Sequence, residues 1–228
     1  AFLTMSTILA LLASAALALP STPGELAIAR DYGGYAQQAF DQLQTVYWQP
    51  KDGFWTASMW WQTANTVEAL GNLGILQPSL KPAISQAMAV VFAATANSTK
   101  GRCNKGVNLT FSGYFDDEEW WGLGWLKAYE LTGDVAYLNR SAAVFEDLVQ
   151  RSWSEASCGG GVCWQASADP SNMKACYKNA ITNELFLTHA SQLALTYHRL
   201  CTAAATTTTA TAASAATATA AAACKSYE

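Results

Sequence analysis

Four consecutive acids, Asp116, Asp117, Glu118 and Glu119, stand directly before Trp120 and Trp121. The simplest use of such a run is structural, because free N–H groups and the helix dipole stabilise negative charge at a helix N-terminus. Asp116 as N-cap with Glu119 three residues on approximates a capping box. A cap needs only one or two acids, however, and four in a row repel one another. The segment they introduce is Trp-rich and apolar, so the acids stand at the mouth of a core rather than on a solvated face. Carboxylates crowded beside aromatics are where one pKa rises and its neighbour's stays low, as a general acid beside a nucleophile requires. Retaining glycosidases hold two carboxyls about 5 Å apart, a spacing that neighbours at a loop–helix junction can reach. Trp60, Trp61, Trp120, Trp121 and Trp164 offer flat faces for sugar rings. Four acids can also bind a hard cation, but the alternating ligands and turn Gly of a calcium loop are missing. No metal and no cofactor is expected.

The elements that must position these residues read as helices. Gly34 to Tyr47 places Tyr35, Ala39, Leu43 and Val46 at helical spacing, and Trp61 to Leu73 continues with Ala64, Val67 and Leu70. Pro78 opens a third helix striped by Ala83, Ala87, Val90, Val91 and Ala94. Lys100 to Tyr114 reads as a long loop, with a short strand over Val107 to Phe111 as the less favoured alternative. Glu118 to Leu131 is apolar nearly all round, and a helix of that kind is buried on every side. After Thr132-Gly133, Asp134 is placed to cap a one-sided helix that runs to about Arg151. Gly159 to Gly161 makes a loop, and a last helix covers Tyr177 to Leu200. A buried helix, a tight turn and an amphipathic helix is the pattern of inner and outer helical layers. The expected fold class is all-α, built from helical hairpins.

The ends differ from this core. Ile8 to Leu19, with Ala16-Leu17-Ala18 before Pro20, resembles a secretory signal peptide. Its run of about twelve apolar residues is short of the roughly twenty that span a bilayer, so no transmembrane segment is expected once it is cleaved. Residues 202–223 hold only Ala, Thr and Ser, a composition without large side chains to pack. The expected organisation is signal peptide 1–19, helical domain 20–201 and low-complexity tail 202–228. A net charge of −4 and no Lys/Arg cluster argue against a nucleic-acid partner. Six cysteines behind a signal-like start point to disulfides rather than zinc. Sequons at Asn97, Asn108 and Asn139 fit glycosylation in a secretory pathway.

Several of these stretches, taken in order, resemble one family. They are Asp116-Asp117-Glu118-Glu119-Trp120-Trp121-Gly122-Leu123-Gly124-Trp125, Leu131-Thr132-Gly133-Asp134, Cys158-Gly159-Gly160-Gly161 and Lys178-Asn179-Ala180-Ile181-Thr182-Asn183-Glu184-Leu185-Phe186, with Trp60-Trp61-Gln62-Thr63-Ala64-Asn65 upstream. Together they are similar to glycoside hydrolase family 76, the endo-α-1,6-mannanases and related fungal cell-wall mannosidases, from about Tyr35 to Leu200. The resemblance implies an (α/α)6 barrel with a cleft at one end and a retaining mechanism. It implies Asp116 as nucleophile and Asp117 as acid/base. The partner would be mannan or another mannose-containing glycan, including the glycan core of lipid anchors, met in the cell wall or at the outer face of the plasma membrane. The barrel has twelve helices and this sequence shows six, so about half is expected, with poor activity for the chain as written.

Asn65, Asn179 and Asn183 join Trp60, Trp120 and Trp121 as substrate-binding candidates on the same resemblance, although polar residues on such helix faces are commonly satisfied within the fold. Glu184 reads as a structural partner, and His189 and His198 as packing or surface residues. Two other readings of the chain stay open at this stage: a mannan-binding wall protein without catalysis, and an inactive fragment.

Overall fold

The computed structural model describes residues 23–56, 60–97, 113–166 and 176–207, which form an all-α structure. The signal-like segment, the alternative strand over 107–111, the sequon at Asn108 and the tail from 208 onward lie outside the described residues. The chain divides into two compact units at Val46–Tyr47. The first contains helix α1, Pro23–Gln42, which starts eleven residues before the expected Gly34 and passes into a wider π-helical turn over Leu43–Tyr47. Phe40 is buried, whereas Tyr32 and Tyr35 are exposed.

The second unit opens with a ribbon that the sequence pattern did not reveal. Strands β1, Trp48–Gln49, and β2, Phe54–Trp55, pair antiparallel with Trp48 opposite Trp55. Their rings meet at 4.7 Å, and Trp55 is buried. Strands of two residues are too short to show the alternation that marks a strand in sequence.

Helix α2 spans Trp60–Leu76, and a single 3-10 turn at Pro78–Leu80 leads into α3, Lys81–Asn97. Helix α4 is Phe115–Thr132, α5 is Val135–Ser152 and α6 is Ala180–Thr207. Helix α4 packs against α2, α3, α5 and α6, which is the all-round burial that its sequence demands. Trp121, Trp125, Leu126 and Ala128 have no exposed surface, and burying a large apolar side chain contributes about 3 kcal/mol over leaving it exposed. Trp60, Trp121, Trp125 and Tyr137 stack in sequence, with centroids 5.2 to 5.8 Å apart, and Phe92 closes the stack edge-on.

Helix α4 ends at Gly133 in the left-handed conformation, with the Gly133 N–H donating to Tyr129 O. The Asp134 side chain then accepts from Ala136 N at 2.9 Å, the cap anticipated for α5. Helix α5 buries Leu138, Val144 and Leu148 on one side and leaves Val149 on the other. Helix α6 begins at Ala180 rather than Tyr177, because Asn179 Oδ1 accepts from Thr182 N at 3.0 Å and so caps it. It extends to Thr207, into the Ala/Thr tract. Among the described residues no helix is long and apolar enough to cross a membrane.

Candidate active site

The capping box that Asp116 and Glu119 approximate in sequence, weighed there as the structural alternative, does not form at α4. The N-cap is Tyr114, whose side chain makes no capping bond, so Asp116 and Asp117 both lie inside the first helical turn. The helix start is satisfied by other means. Phe115 N donates to Trp164 O at 2.9 Å, and Asp117 N donates to Asp116 Oδ1 at 3.0 Å. A strand-like segment around Trp164 therefore replaces a side-chain cap. Ala166 N donates to Gly113 O, and Tyr114 bridges Gln165 in antiparallel fashion. The Cys163–Cys176 disulfide, 13 residues apart, ties this segment to the stretch that leads into α6. Cys158 is an exposed free thiol.

The four acids occupy four different environments. Asp116 is half-buried, and its Oδ2 accepts from Trp164 Nε1 at 2.9 Å. The Asp117 carboxyl is pushed up to about 6, first by burial and then by the charge of Asp116. Glu118 is fully buried beneath the turn. It accepts from Gly113 N and, at 2.7 Å, from Arg151 Nη2. Arg151 also holds Asp147, and its guanidinium lies 4.9 Å from the centre of the Phe115 ring. Burial pushes Glu118 up to about 7 against the pull of Arg151, because desolvating a fully buried carboxylate costs more than a one-third-exposed guanidinium returns. Burial alone would lower Arg151, but its two carboxylate partners hold it up.

Glu119 points the other way, into the core. Its Oε2 lies 2.8 Å from His189 Nδ1, and His189 Nε2 lies 2.8 Å from Ser141 Oγ, which donates to Gly122 O at 2.8 Å. All three side chains are fully buried. The serine has one proton and gives it to Gly122, so His189 Nε2 must donate to the serine. Glu119 and His189 therefore share one further proton between Oε2 and Nδ1. Burial raises the Glu119 pKa, and His189 opposes the rise. This relay joins α4, α5 and α6, and it is closed to any ligand. In sequence His189 reads only as a packing or surface residue, since its partners lie 48 and 70 residues away. The one local signal is Gly122, where an added Cβ would meet His189 Cε1 at 2.2 Å.

The substrate-binding candidates are dispersed among several environments. Trp121 has no exposed surface and presents no face to a sugar, because the helix that carries it is buried all round. Trp60 is buried beside it, at 5.7 Å between centroids, and Trp120 is half-buried. Asn65 is half-buried on α2. Asn179 caps α6. Asn183 clips a neighbouring backbone: it accepts from Val162 N at 2.8 Å and donates to Val162 O and Asn179 O. That clip needs Gly159 to Gly161, all at positive φ, and a Cβ on Gly161 would lie 2.7 Å from Asn183 Oδ1. Lys178 Nζ reaches Ser157 O at 2.7 Å and holds the same loop. Glu184 and His198 are exposed on α6, and so is the sequon residue Asn139 on α5, while Asn97 closes α3. Among the described residues no group of His, Cys, Asp and Glu could hold a metal ion.

Solved proteins share this all-α arrangement. A Listeria innocua protein matches with a TM-score of 0.56 at 23% identity, over 74% of this chain and 47% of its own. The GH76A α-1,6-mannanase of Salegentibacter sp. HEL1_6 matches with a TM-score of 0.51 at 20% identity, over 74% of this chain and 51% of its own. An inactive variant of that enzyme, with two consecutive Asp residues changed to Ala, has been solved in complex with α-1,6-mannotetraose. In sequence, a Schizosaccharomyces pombe protein that bears the name of a mannan endo-1,6-alpha-mannosidase is 38% identical over 84 residues, 35% of this chain and 18% of its own length. The chain thus spans about half the length of these solved relatives and a smaller share of the yeast one. The model of glycosyl hydrolase family 76 matches residues 32–222. The chain belongs to glycosyl hydrolase family 76.

Proposed function

We propose that the chain carries the reacting carboxylates of a retaining glycosidase or transglycosidase acting on α-1,6-linked mannosides, with Asp116 as nucleophile and Asp117 as acid/base. The observation that carries this reading is the unequal setting of two adjacent acids. Asp116 receives donors on both oxygens, and Asp117 is raised to about 6 by burial and by its neighbour's charge. A carboxyl that keeps its proton up to about pH 6 can give it to a leaving glycosidic oxygen in mildly acidic solution, while the adjacent carboxylate attacks the anomeric carbon. The resulting glycosyl ester is released by water or by another sugar hydroxyl, with Asp117 returning as base.

Relatives support the substrate. A structural neighbour is an α-1,6-mannanase whose inactive form lacks two consecutive aspartates, and it binds an α-1,6-mannooligosaccharide. Mannan backbones and the mannose core of lipid-anchor glycans both contain that linkage. The signal-like N-terminus and the sequons support secretion to a cell wall or to the outer face of the plasma membrane, within fungal wall biogenesis.

The test is covalent trapping. The purified chain is incubated with 2-deoxy-2-fluoro-mannosyl fluoride, and its peptides are read by mass spectrometry. The label is expected on Asp116, and it should be lost in Asp116→Asn. Labelling of a different residue would overturn the assignment.

A further inference from the structure

Trp164 was a candidate sugar platform in the sequence, and the structure gives it other contacts. We propose that Trp164 is a positioning residue for the reacting pair: its indole N–H fixes the Asp116 carboxylate, and its ring packs within the protein rather than against substrate. This rests on reading Asp116 and Asp117 as that pair.

Both Asp116 oxygens receive a donor, Oδ2 from Trp164 Nε1 at 2.9 Å and Oδ1 from Asp117 N at 3.0 Å. Two donors on two oxygens define the plane of the carboxylate, so the lone pair that must meet the anomeric carbon has a set direction. A carboxylate held by one donor can turn about its Cβ–Cγ bond, and misalignment at the reacting atom is costly. The donor is itself fixed through its backbone. Trp164 O accepts the first N–H of α4, from Phe115, while Trp164 N donates to Tyr177 O at 2.8 Å. Backbone and side chain of one residue thus grip the same helical turn at two points. The adjacent Cys163 is buried and bonded to Cys176, next to Tyr177.

Two tyrosine rings meet the indole in edge-type contacts, Tyr114 at 5.4 Å and Tyr177 at 6.1 Å between centroids, each set at a steep angle to it. With its N–H on Asp116, its backbone on Phe115 and Tyr177 and its ring against two tyrosines, Trp164 makes its contacts within the protein. The pairing is also unlike that of the core tryptophans. The N–H groups of Trp60, Trp121 and Trp125 are buried and find no acceptor among the described residues. Trp164, only half-buried, directs its N–H onto one of the two acids.

The experiment pairs a spectroscopic readout with a kinetic one. Indole Nε1–H resonances are recorded on the 15N-labelled chain, and Trp164→Phe identifies the resonance of Trp164. In Asp116→Ala that resonance is expected to move upfield while the other indole signals hold their positions. An unmoved Trp164 resonance overturns the proposal, whether or not the chain turns over a mannoside. On α-1,6-mannotetraose, Trp164→Phe is expected to lower kcat about 10- to 100-fold with KM little changed. A raised KM at unchanged kcat would make Trp164 a platform and overturn it. Absence of turnover in the parent chain counts against the proposed reaction alone, and the resonance shift then decides the hydrogen bond.

Discussion

Asp116 and Asp117 are successive residues, yet the helix turns them into different surroundings, and the difference is testable by pH. Asp117 must be protonated to act as the acid, so kcat/KM on α-1,6-mannotetraose is expected to fall as pH rises through about 6. A rate that holds level to pH 8 would remove Asp117 from that role. The same carboxyl influences stability. Its folded pKa lies above the unfolded value of 3.8, so stability is lost as pH rises from there, and the loss is complete above about pH 6. Asp117→Asn should therefore stabilise the chain at pH 7.5 by about 1 kcal/mol, after allowance for solvent screening of a partly exposed group. It should do so while abolishing turnover, and urea unfolding of the two proteins reads the difference. Arg151 acts one layer below. Arg151→Met leaves the buried Glu118 carboxyl with the Gly113 N–H as its remaining partner in this network. It should cost about 2 kcal/mol in the same urea experiment.

At the scale of elements, α4 shows what the sequence reveals and what it hides. Its all-round apolar pattern anticipated burial between other helices, and Asp134 announced the cap of the next one. The acid pair was legible because its residue types are unusual where they stand. The capping box was misread, because a local pattern cannot show that Trp164 O, far along the chain, already takes the Phe115 N–H. The relay Glu119–His189–Ser141 was hidden for the same reason, and Ser141 drew notice only as part of the Asn139 sequon. Trp121 was misjudged as a sugar contact, since a Trp in a sequence does not say which way its ring faces. Gly122 is where the hidden part can be probed. Gly122→Ala places a methyl 2.2 Å from the His189 ring, on a helix wedged between α2, α5 and α6. Neither ring nor helix has room to withdraw without breaking the bonds to Glu119 and Ser141. A loss of about 2–3 kcal/mol in chemical denaturation is expected, whereas an unchanged midpoint would mean that His189 does not occupy that position.

For the molecule as a whole, the shifted carboxyls among the described residues all lean the same way. Glu68, Asp117, Glu118 and Glu119 are each raised, and burial is the largest cause in every case. A carboxyl raised on folding holds more protons in the native state than in the unfolded one, over the interval between its two pKa values. Stability therefore falls as pH rises across that interval. For Asp117 it runs from 3.8 to about 6, and for Glu118 from 4.5 to about 7. The loss from Asp117 and Glu118 is nearly complete by about pH 7, and the fold should be firmer at pH 5 than at pH 7.5. The usual acid-labile behaviour, in which carboxylates paired as anions must be protonated, works in the opposite direction. Here it is outweighed because Glu118 is raised rather than lowered even with Arg151 beside it. Calorimetric Tm values measured from pH 4.5 to 8 should peak in the mildly acidic range. Arg151→Met should steepen that slope and carry it to higher pH, since it removes the cation that opposes the rise of Glu118. Asp117→Asn should flatten the slope in part, by deleting one of the contributing groups. A parent Tm that climbs steadily toward pH 8 would show that these acids are better solvated or better paired than their burial implies.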